Sequence, residues 1–502
     1  MTPPRPTLNA ALARTPAFAA RRDLLVPPLA LLDLPERVVQ FGTGAFLRGF
    51  VDFFVDEANR RGAFAGRVVA VGSTGSGRDA RLNEQDGLYT LVARGVAGGE
   101  RQEERRVVAS VSRALSARDD WGAVLALARS PELRLVVSNT TEVGIALDER
   151  DRHDDAPPHS FPGKLARFLA ERGSAVGHDE TKGVVVLPCE LIEGNGEQLR
   201  EIVLAHVRRW GRGAALERWI ARAVPFCNTL VDRIVPGAPA GADARALGAS
   251  LGYDDAMLTT AETYRLFAIE RPRDARGVAM LDALGLAAAD AGVVVTDDVA
   301  PYRERKVRLL NGTHTIMVPL ALLHGCLTVR DALAHETVGR FVRRVLLEEI
   351  VPATDAPGAE RFARDVLDRF ANPAIHHALA DITLQQTTKM RVRMVPSIVR
   401  HGERTGRAPA SIAFGFAAYL LFVRGAAPAR PDDEAERVRA HWRAAGDDAA
   451  RVAAEVCADA ALWPAALASV PGFATAVGEA LERMMRDGVP AALEAHLAEA
   501  PV

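Results

Sequence analysis

The sequence predicts an α/β N-terminal Rossmann-type domain followed by a mainly α-helical C-terminal domain. Three observations carry this expectation. Short Val-rich runs recur through the first half, separated by stretches of helical spacing, as in a parallel sheet covered on both faces. The first of these runs leads straight into a Gly-x-Gly turn. Beyond about residue 295 the strand-like runs stop, and helix-length amphipathic segments continue to the end. The expected domains are therefore 1–294, a dinucleotide-binding domain, and 295–502, a helical substrate and catalytic domain.

Taken in order, Val38–Phe41 is a short apolar run ending in glycine, and Phe46–Asn59 has the spacing of one helix. Arg67–Val71, Arg134–Val137 and Gly183–Leu187 are further apolar runs. Leu88–Val92 and Arg106–Val111 alternate like exposed strands and suggest an antiparallel addition. Asp154–Gly163 and Val235–Ala244 are rich in Pro, Gly and polar residues and are expected as loops. Gly292–Thr296 is the last strand. After it come helical segments such as Val338–Ile350, Ala359–Phe370 and Phe473–Asp487, punctuated by Pro352, Pro373, Pro396 and Pro471. Ile412–Val423 is apolar but too short to span a bilayer, and suits a buried helix.

Composition narrows the function. The 502 residues are 48% hydrophobic and 25% charged, enough for two or three domains. A net charge of −2 carries no broad basic field, so neither nucleic acid nor a membrane is an expected partner. Cys189, Cys227, Cys326 and Cys457 are scattered at no metal-ligand spacing, which argues against structural zinc and against a disulfide framework. Met1–Ala30 is rich in Pro, Ala and Arg and lacks the continuous apolar core of a secretory signal. The expectation is a cytoplasmic protein with a small-molecule partner. Nothing in the sequence sets its oligomeric state.

A strand, a glycine turn and a helix start together form a phosphate cradle. Phe41, Gly42, Thr43, Gly44, Ala45 and Phe46 are the candidate cofactor-binding residues there. The usual third glycine falls at Leu47, and alone the pattern equally suits an ordinary strand-to-helix turn. The second strand ends Val71-Gly72-Ser73-Thr74-Gly75, without the acid that commonly binds a ribose 2′-hydroxyl. Ser73 is a candidate substitute, while Arg78 suits either a 2′-phosphate or solvent. The residues thus leave NAD against NADP open. Asn139 follows a strand end and is a further cofactor candidate, although such asparagines commonly need no ligand.

Beyond the last strand, Pro301 opens a segment holding Lys306, Asn311 and His314. On an α-helix of about 100° per residue these three fall at roughly 0°, 140° and 80°, on one side. An ammonium can donate a proton, a carboxamide can donate to an oxygen gaining charge, and a neutral imidazole can hold a hydroxyl. That set serves ketone reduction. By residue type alone it serves equally well as a solvated helix face with His314 as a packing residue.

Residues 301–314 resemble the Lys-x-x-x-x-Asn-x-x-His signature of the polyol-specific long-chain dehydrogenase (mannitol dehydrogenase) family. Gly42-Thr43-Gly44-Ala45-Phe46-Leu47-Arg48-Gly49 is similar to its variant nucleotide motif, and Leu230-Val231-Asp232-Arg233-Ile234 to its Val-Asp-Arg-Ile block. Pro188–Gly196 fits as well, in family order. Within the family the likeness is to members acting on keto-uronates, through Gln85–Thr90, Ser138–Gly144, Asp154–Pro157 and Pro301–Lys306.

The resemblance implies a reversible NAD-dependent reduction of a keto-uronate to an aldonate, with Lys306 as acid and base and no catalytic metal. A fructuronate or mannitol-type substrate is the alternative, and a catalytically silent nucleotide-binding regulator is the reading from another class. A sugar-acid carboxylate calls for a cation, and Lys389, Arg391 and Arg393 are the candidates, with Arg303 and Arg305 behind them. Asp232 and Arg233 are expected as a buried ion pair or as pocket lining, and Asn195 as a turn residue. Where mannitol-type relatives place a second oxyanion asparagine, this chain has Leu191, leaving Asn311 as the main amide donor.

Overall fold

The computed structural model describes residues 5–73, 75, 77–140, 144–426, 430–464 and 467–499. Thr74 of the second-strand motif and Thr141, Glu142 and Val143 of the Ser138–Gly144 motif lie outside the described residues. Contacts divide the chain into two units, Met1–Arg94 with Gln102–Val299, and Gly95–Arg101 with Ala300–Val502.

The strands of the chain are β1 (Glu36–Phe41), β2 (Arg67–Gly72), β3 (Tyr89–Ala97), β4 (Glu100–Val108), β5 (Val111–Ser116), β6 (Leu135–Ser138), β7 (Val185–Pro188), β8 (Thr229–Asp232), β9 (Thr259–Glu262), β10 (Leu266–Glu270) and β11 (Val293–Thr296). In the first unit β5-β2-β1-β6-β7 form a five-stranded, wholly parallel sheet. Alternate residues enter different cores: Val38, Val68, Ala70 and Val137 on one face, Val39, Val69, Val71 and Val136 on the other. Burial on both faces is why each strand is a continuous apolar run rather than an alternating one. Two smaller sheets, β11-β10-β8 and β4-β3-β9, complete the strand pairing.

Several segments depart from the sequence expectation. Phe46–Asn59 is not one helix but two, Ala45–Arg48 and Val51–Arg60, parted at Gly49 and Phe50. A Cβ on Gly49 would sit 2.7 Å from Val235 Cγ1, so the close approach of Val235 fixes the break. Leu88, Tyr89, Leu91 and Val92 are buried rather than exposed. Leu88 is covered by the N-terminal segment, whose Leu8, Ala13, Phe18 and Leu24 form one core with it and Val107, while Tyr89 and Leu91 join the core on one face of the parallel sheet. Arg106–Val111 is two strands, β4 ending at Val108 and β5 starting at Val111. Asp154–Gly163 already turns helical at Phe161, where Ser160 caps the helix by accepting from the Gly163 amide at 2.9 Å. Val235–Ala244 likewise enters a helix at Gly241.

The second unit is mainly helical. Ala359–Phe370 and Phe473–Asp487 are helices over the ranges their periodicity indicates. The buried helix Ala410–Leu421 is its centre, with Phe416 against Trp463 at 5.5 Å and Phe473 at 5.6 Å. The Glu349 carboxylate accepts from the Ser411 and Ile412 amides at 2.7 and 2.8 Å, placing an acceptor at the positive end of that helix. Gly415 lets this helix close on its neighbour: a Cβ there would lie 2.6 Å from Ile316 Cγ1. Among the described residues no helix is long and apolar enough to cross a membrane.

Candidate active site

Ala300–Leu323 runs as one helical rod in three parts: α-helical Ala300–Arg305, π-helical Lys306–Gly312 and α-helical Thr313–Leu323. The middle part corrects the α-helical angles expected from sequence. A π turn closes its hydrogen bonds over five residues, so Lys306 and Asn311 are about one turn apart instead of widely splayed. Pro319, inside the last part, has no N–H to give the Thr315 carbonyl. Gln386 Nε2 satisfies that carbonyl instead, at 2.8 Å.

A second π segment, Met390–Met394, packs against the first. Arg308 ties the two by donating Nη1 to the carbonyls of Val392 at 2.7 Å and Arg393 at 3.0 Å. The Thr315 hydroxyl donates to the Asn311 carbonyl at 2.8 Å, and its oxygen accepts from Arg393 Nη1 at 3.3 Å. The backbone behind Asn311 is therefore held from two sides, while Lys306 and Asn311 themselves are only partly buried.

His314 is buried, stacked on Phe370 at 4.2 Å and edge-on to His377 at 5.2 Å. Burial, reinforced by the like charges of His377, Arg369, Arg393 and Lys389, holds its pKa well below the usual imidazole value, so the ring is neutral at physiological pH. Its Nε2 is buried and has no hydrogen-bond partner among the described residues. A buried nitrogen of this kind is open to a partner supplied by water or by a ligand.

The candidate cations differ in their surroundings. Lys389 donates Nζ to the Ile382 carbonyl at 2.8 Å, and burial, then the charge of Arg393, lowers its pKa. Burial alone lowers that of Arg393. Neither has a carboxylate within ion-pair distance among the described residues. Arg391 instead pairs with Glu434. Arg305 lies over Tyr302 and Phe362 and donates to the Pro357 carbonyl at 2.7 Å, which makes it a packing residue. Arg369, Phe370 and His377 were not singled out from sequence. Arg369 had a signal: it is a cation on the buried stripe Phe362, Val366, Arg369 of an amphipathic helix. His377 follows a Pro turn and had none.

In the first unit, Gly42 has φ +137°, and a Cβ there would meet Leu47 Cδ1 at 2.8 Å. Leu47, which stands where a third glycine is usual, thus packs over the first glycine. A Cβ on Gly44 would meet nothing within 4 Å, so the backbone there is open. The N–H groups of Ala45, Phe46 and Leu47 precede the first intrahelical bond, which Arg48 makes to the Gly44 carbonyl at 3.3 Å. This turn fits a dinucleotide pyrophosphate, with Phe41 and Thr43 buried behind it and Ser73 exposed at the end of β2. The Nε of Arg78 is buried without a partner among the described residues.

Other candidates have structural partners. Asn139 spends Nδ2 on the Cys189 carbonyl at 2.8 Å. Arg233 donates to the carbonyls of Glu262 at 2.9 Å and Gly49 at 2.7 Å, so these carbonyls replace the expected ion pair with Asp232. Its guanidinium lies over Phe53, and burial drops its pKa to about 9. Asp232 is buried in β8. Asn195 is no turn tip: fully buried at a helix start, it donates to the carbonyls of Pro188 at 3.1 Å and Glu190 at 3.0 Å. Leu191 is 60% exposed. Among the described residues no group of three or more His, Cys, Asp or Glu is arranged to hold a metal ion.

Fold and site together define a Rossmann-type oxidoreductase with a helical second unit. Residues 36–280 match the mannitol dehydrogenase Rossmann domain and residues 298–485 the mannitol dehydrogenase C-terminal domain. Altronate oxidoreductase of Bacillus subtilis (strain 168) is 42% identical over 461 residues, 92% of this chain and 95% of that protein. Altronate oxidoreductase of Yersinia enterocolitica is 40% identical over 474 residues, 92% of this chain and 97% of that one. The Pseudomonas fluorescens mannitol 2-dehydrogenase, solved as a ternary complex with NAD and D-mannitol, is 25% identical with a TM-score of 0.67, covering 99% of this chain and 100% of its own. A D-sorbitol dehydrogenase in substrate-free form shares the fold at TM-score 0.78 and 24% identity, over 97% of this chain and 100% of its own. The chain belongs to the mannitol dehydrogenase family.

Proposed function

We propose that this chain reduces a keto-uronate, tagaturonate, to the aldonate altronate, and runs the reverse oxidation, with NAD(H) as cofactor. NADH, when bound, supplies the hydride to the ketone carbon. Lys306 donates the proton that completes the alcohol and takes it back in oxidation. The Asn311 carboxamide donates to the same oxygen as it gains charge. Neutral His314 uses its open Nε2 to hold an adjacent substrate hydroxyl. Arg393, with Lys389 beside it, holds the carboxylate.

The observation that carries this reading is the setting of His314: a neutral, buried imidazole with an unanswered Nε2, beside Lys389 and Arg393, which have no carboxylate within ion-pair distance among the described residues. A neutral polyol has no use for that surplus charge, whereas a sugar acid does. The names of the 40–42% identical relatives support the same substrate class. The test is a panel of tagaturonate, fructuronate and fructose, each with NADH and NADPH in the presence of a chelator. Tagaturonate with NADH is expected to give the highest kcat/KM. Faster turnover of fructuronate or fructose overturns the substrate assignment. Cofactor binding without turnover of any of them makes the chain a regulator. A preference for NADPH reassigns Arg78 to a 2′-phosphate.

A further inference from the structure

The first unit contains a cavity of about 470 Å³ that the proposed reaction does not use. It lies at the amino edge of the parallel sheet. Arg37 is the second residue of β1, Arg134 directly precedes β6, and Lys182 lies just ahead of β7. The glycine turn is at the other end of β1, about 16 Å away for five residues of strand at about 3.3 Å each.

Among the described residues five cations line this cavity and no acid does: Arg37, Arg134, Arg172, Lys182 and Arg276. Two are offset by acids outside the lining, Arg37 by Glu132 at 3.0 Å and Arg276 by Glu180 at 3.1 Å. Arg134, Arg172 and Lys182 have no carboxylate within ion-pair distance among the described residues. Arg172 is 1% exposed, and among the described residues its guanidinium donates only to carbonyls: Lys182 at 3.0 Å, Ala128 at 3.0 Å, Ser130 at 2.8 Å and Leu133 at 3.5 Å. Burial, then the like charge of Arg134, presses its pKa down to about 10. A buried cation without a counter-ion is costly, and an anion in the cavity relieves it. The remaining wall is apolar, with Phe64 and Met280 in it. The volume falls within the range of small-molecule sites, about 300–1,000 Å³.

We propose that this cavity is a second ligand site, for a compact organic anion of two or three negative charges whose uncharged carbon frame rests on Phe64 and Met280. The charge count sets the ligand's charge, and phosphate esters and polycarboxylates share the required chemistry. Arg172 clamps the rim through its carbonyls, while exposed Arg134 and Lys182 meet the ligand.

The test is calorimetric titration of the full chain with glucose 6-phosphate, citrate and AMP at about 0.15 M ionic strength, where exposed charges are screened. Three proteins are compared: the natural chain, Arg134→Ser/Lys182→Ser, and a charge-matched control, Arg118→Ser/Arg150→Ser, altered at exposed positions elsewhere. At least one probe is expected to bind one-to-one, with affinity falling tenfold or more in the Arg134/Lys182 variant and unchanged in the control. The phosphate and citrate arms tell which anion class is preferred. The proposal is overturned if no probe saturates below about 10 mM, a free energy of under 3 kcal/mol. Binding that survives loss of Arg134 and Lys182 belongs to another site, such as the glycine turn, and overturns it equally. Thermal midpoints of the three unliganded proteins are compared to confirm that all are folded.

Discussion

Arg393→Ala is expected to raise KM for a keto-uronate by 10- to 100-fold with little change in kcat, because a charge-assisted hydrogen bond contributes about 1.5–3 kcal/mol. Steady-state kinetics on tagaturonate and on a ketose without a carboxylate check this. The defect belongs to the acid substrate alone, and an equal loss on both assigns Arg393 to holding Thr315 instead. At this scale the sequence was partly legible. Lys306, Asn311 and His314 stand in one motif, so their proximity along a helix could be read directly. The surroundings of His314 could not, because Phe370, His377, Lys389 and Arg393 arrive from separate elements. Arg391 and Arg393 look alike in sequence, and only the position of Glu434 separates them.

Among elements, the close approach of Ala410–Leu421 to Thr313–Leu323 positions the candidate histidine. Gly415→Ala places a Cβ against Ile316, two residues from His314, and overpacking of this kind costs about 1–3 kcal/mol. Urea unfolding should show that loss, and kcat/KM should fall with it. Adding Ile316→Ala vacates the space and is expected to recover activity in part. A Gly415→Ala protein of unchanged stability and rate rules out this packing role. The strands of the parallel sheet were legible because burial on both faces writes a continuous apolar run. The burial around β3 was not legible because its partners are distant in sequence: the N-terminal segment covers Leu88, and Tyr89 and Leu91 enter the core of the parallel sheet. The π winding of Lys306–Gly312 leaves no mark in composition, since only the hydrogen-bond span distinguishes it from an α-helix.

At the scale of the whole molecule, stability should carry a pH signature from Asp52. This carboxyl is fully buried, and burial lifts its pKa to about 7 despite hydrogen bonds from Gln40 at 3.4 Å and Tyr89 at 3.4 Å. The folded state therefore holds a proton that the unfolded chain releases near pH 4, and stability falls as pH rises from there to about 7. Between pH 5 and 8 the loss is about 2.7 kcal/mol, about two pH units at 1.36 kcal/mol each. Urea titrations at several pH values should show this slope in the natural chain and a much flatter one in Asp52→Asn; equal slopes assign the effect elsewhere. The proposed function rests more heavily on Lys306 than on any other residue. Its role is tested most directly by single-turnover oxidation of NADH with tagaturonate, followed at the nicotinamide absorbance band in the natural chain and in Lys306→Ala. The expected result is a hydride-transfer rate lower by about 10²- to 10⁴-fold with the NADH dissociation constant unchanged. A rate within about tenfold of the natural chain contradicts the assignment of Lys306 as the proton donor.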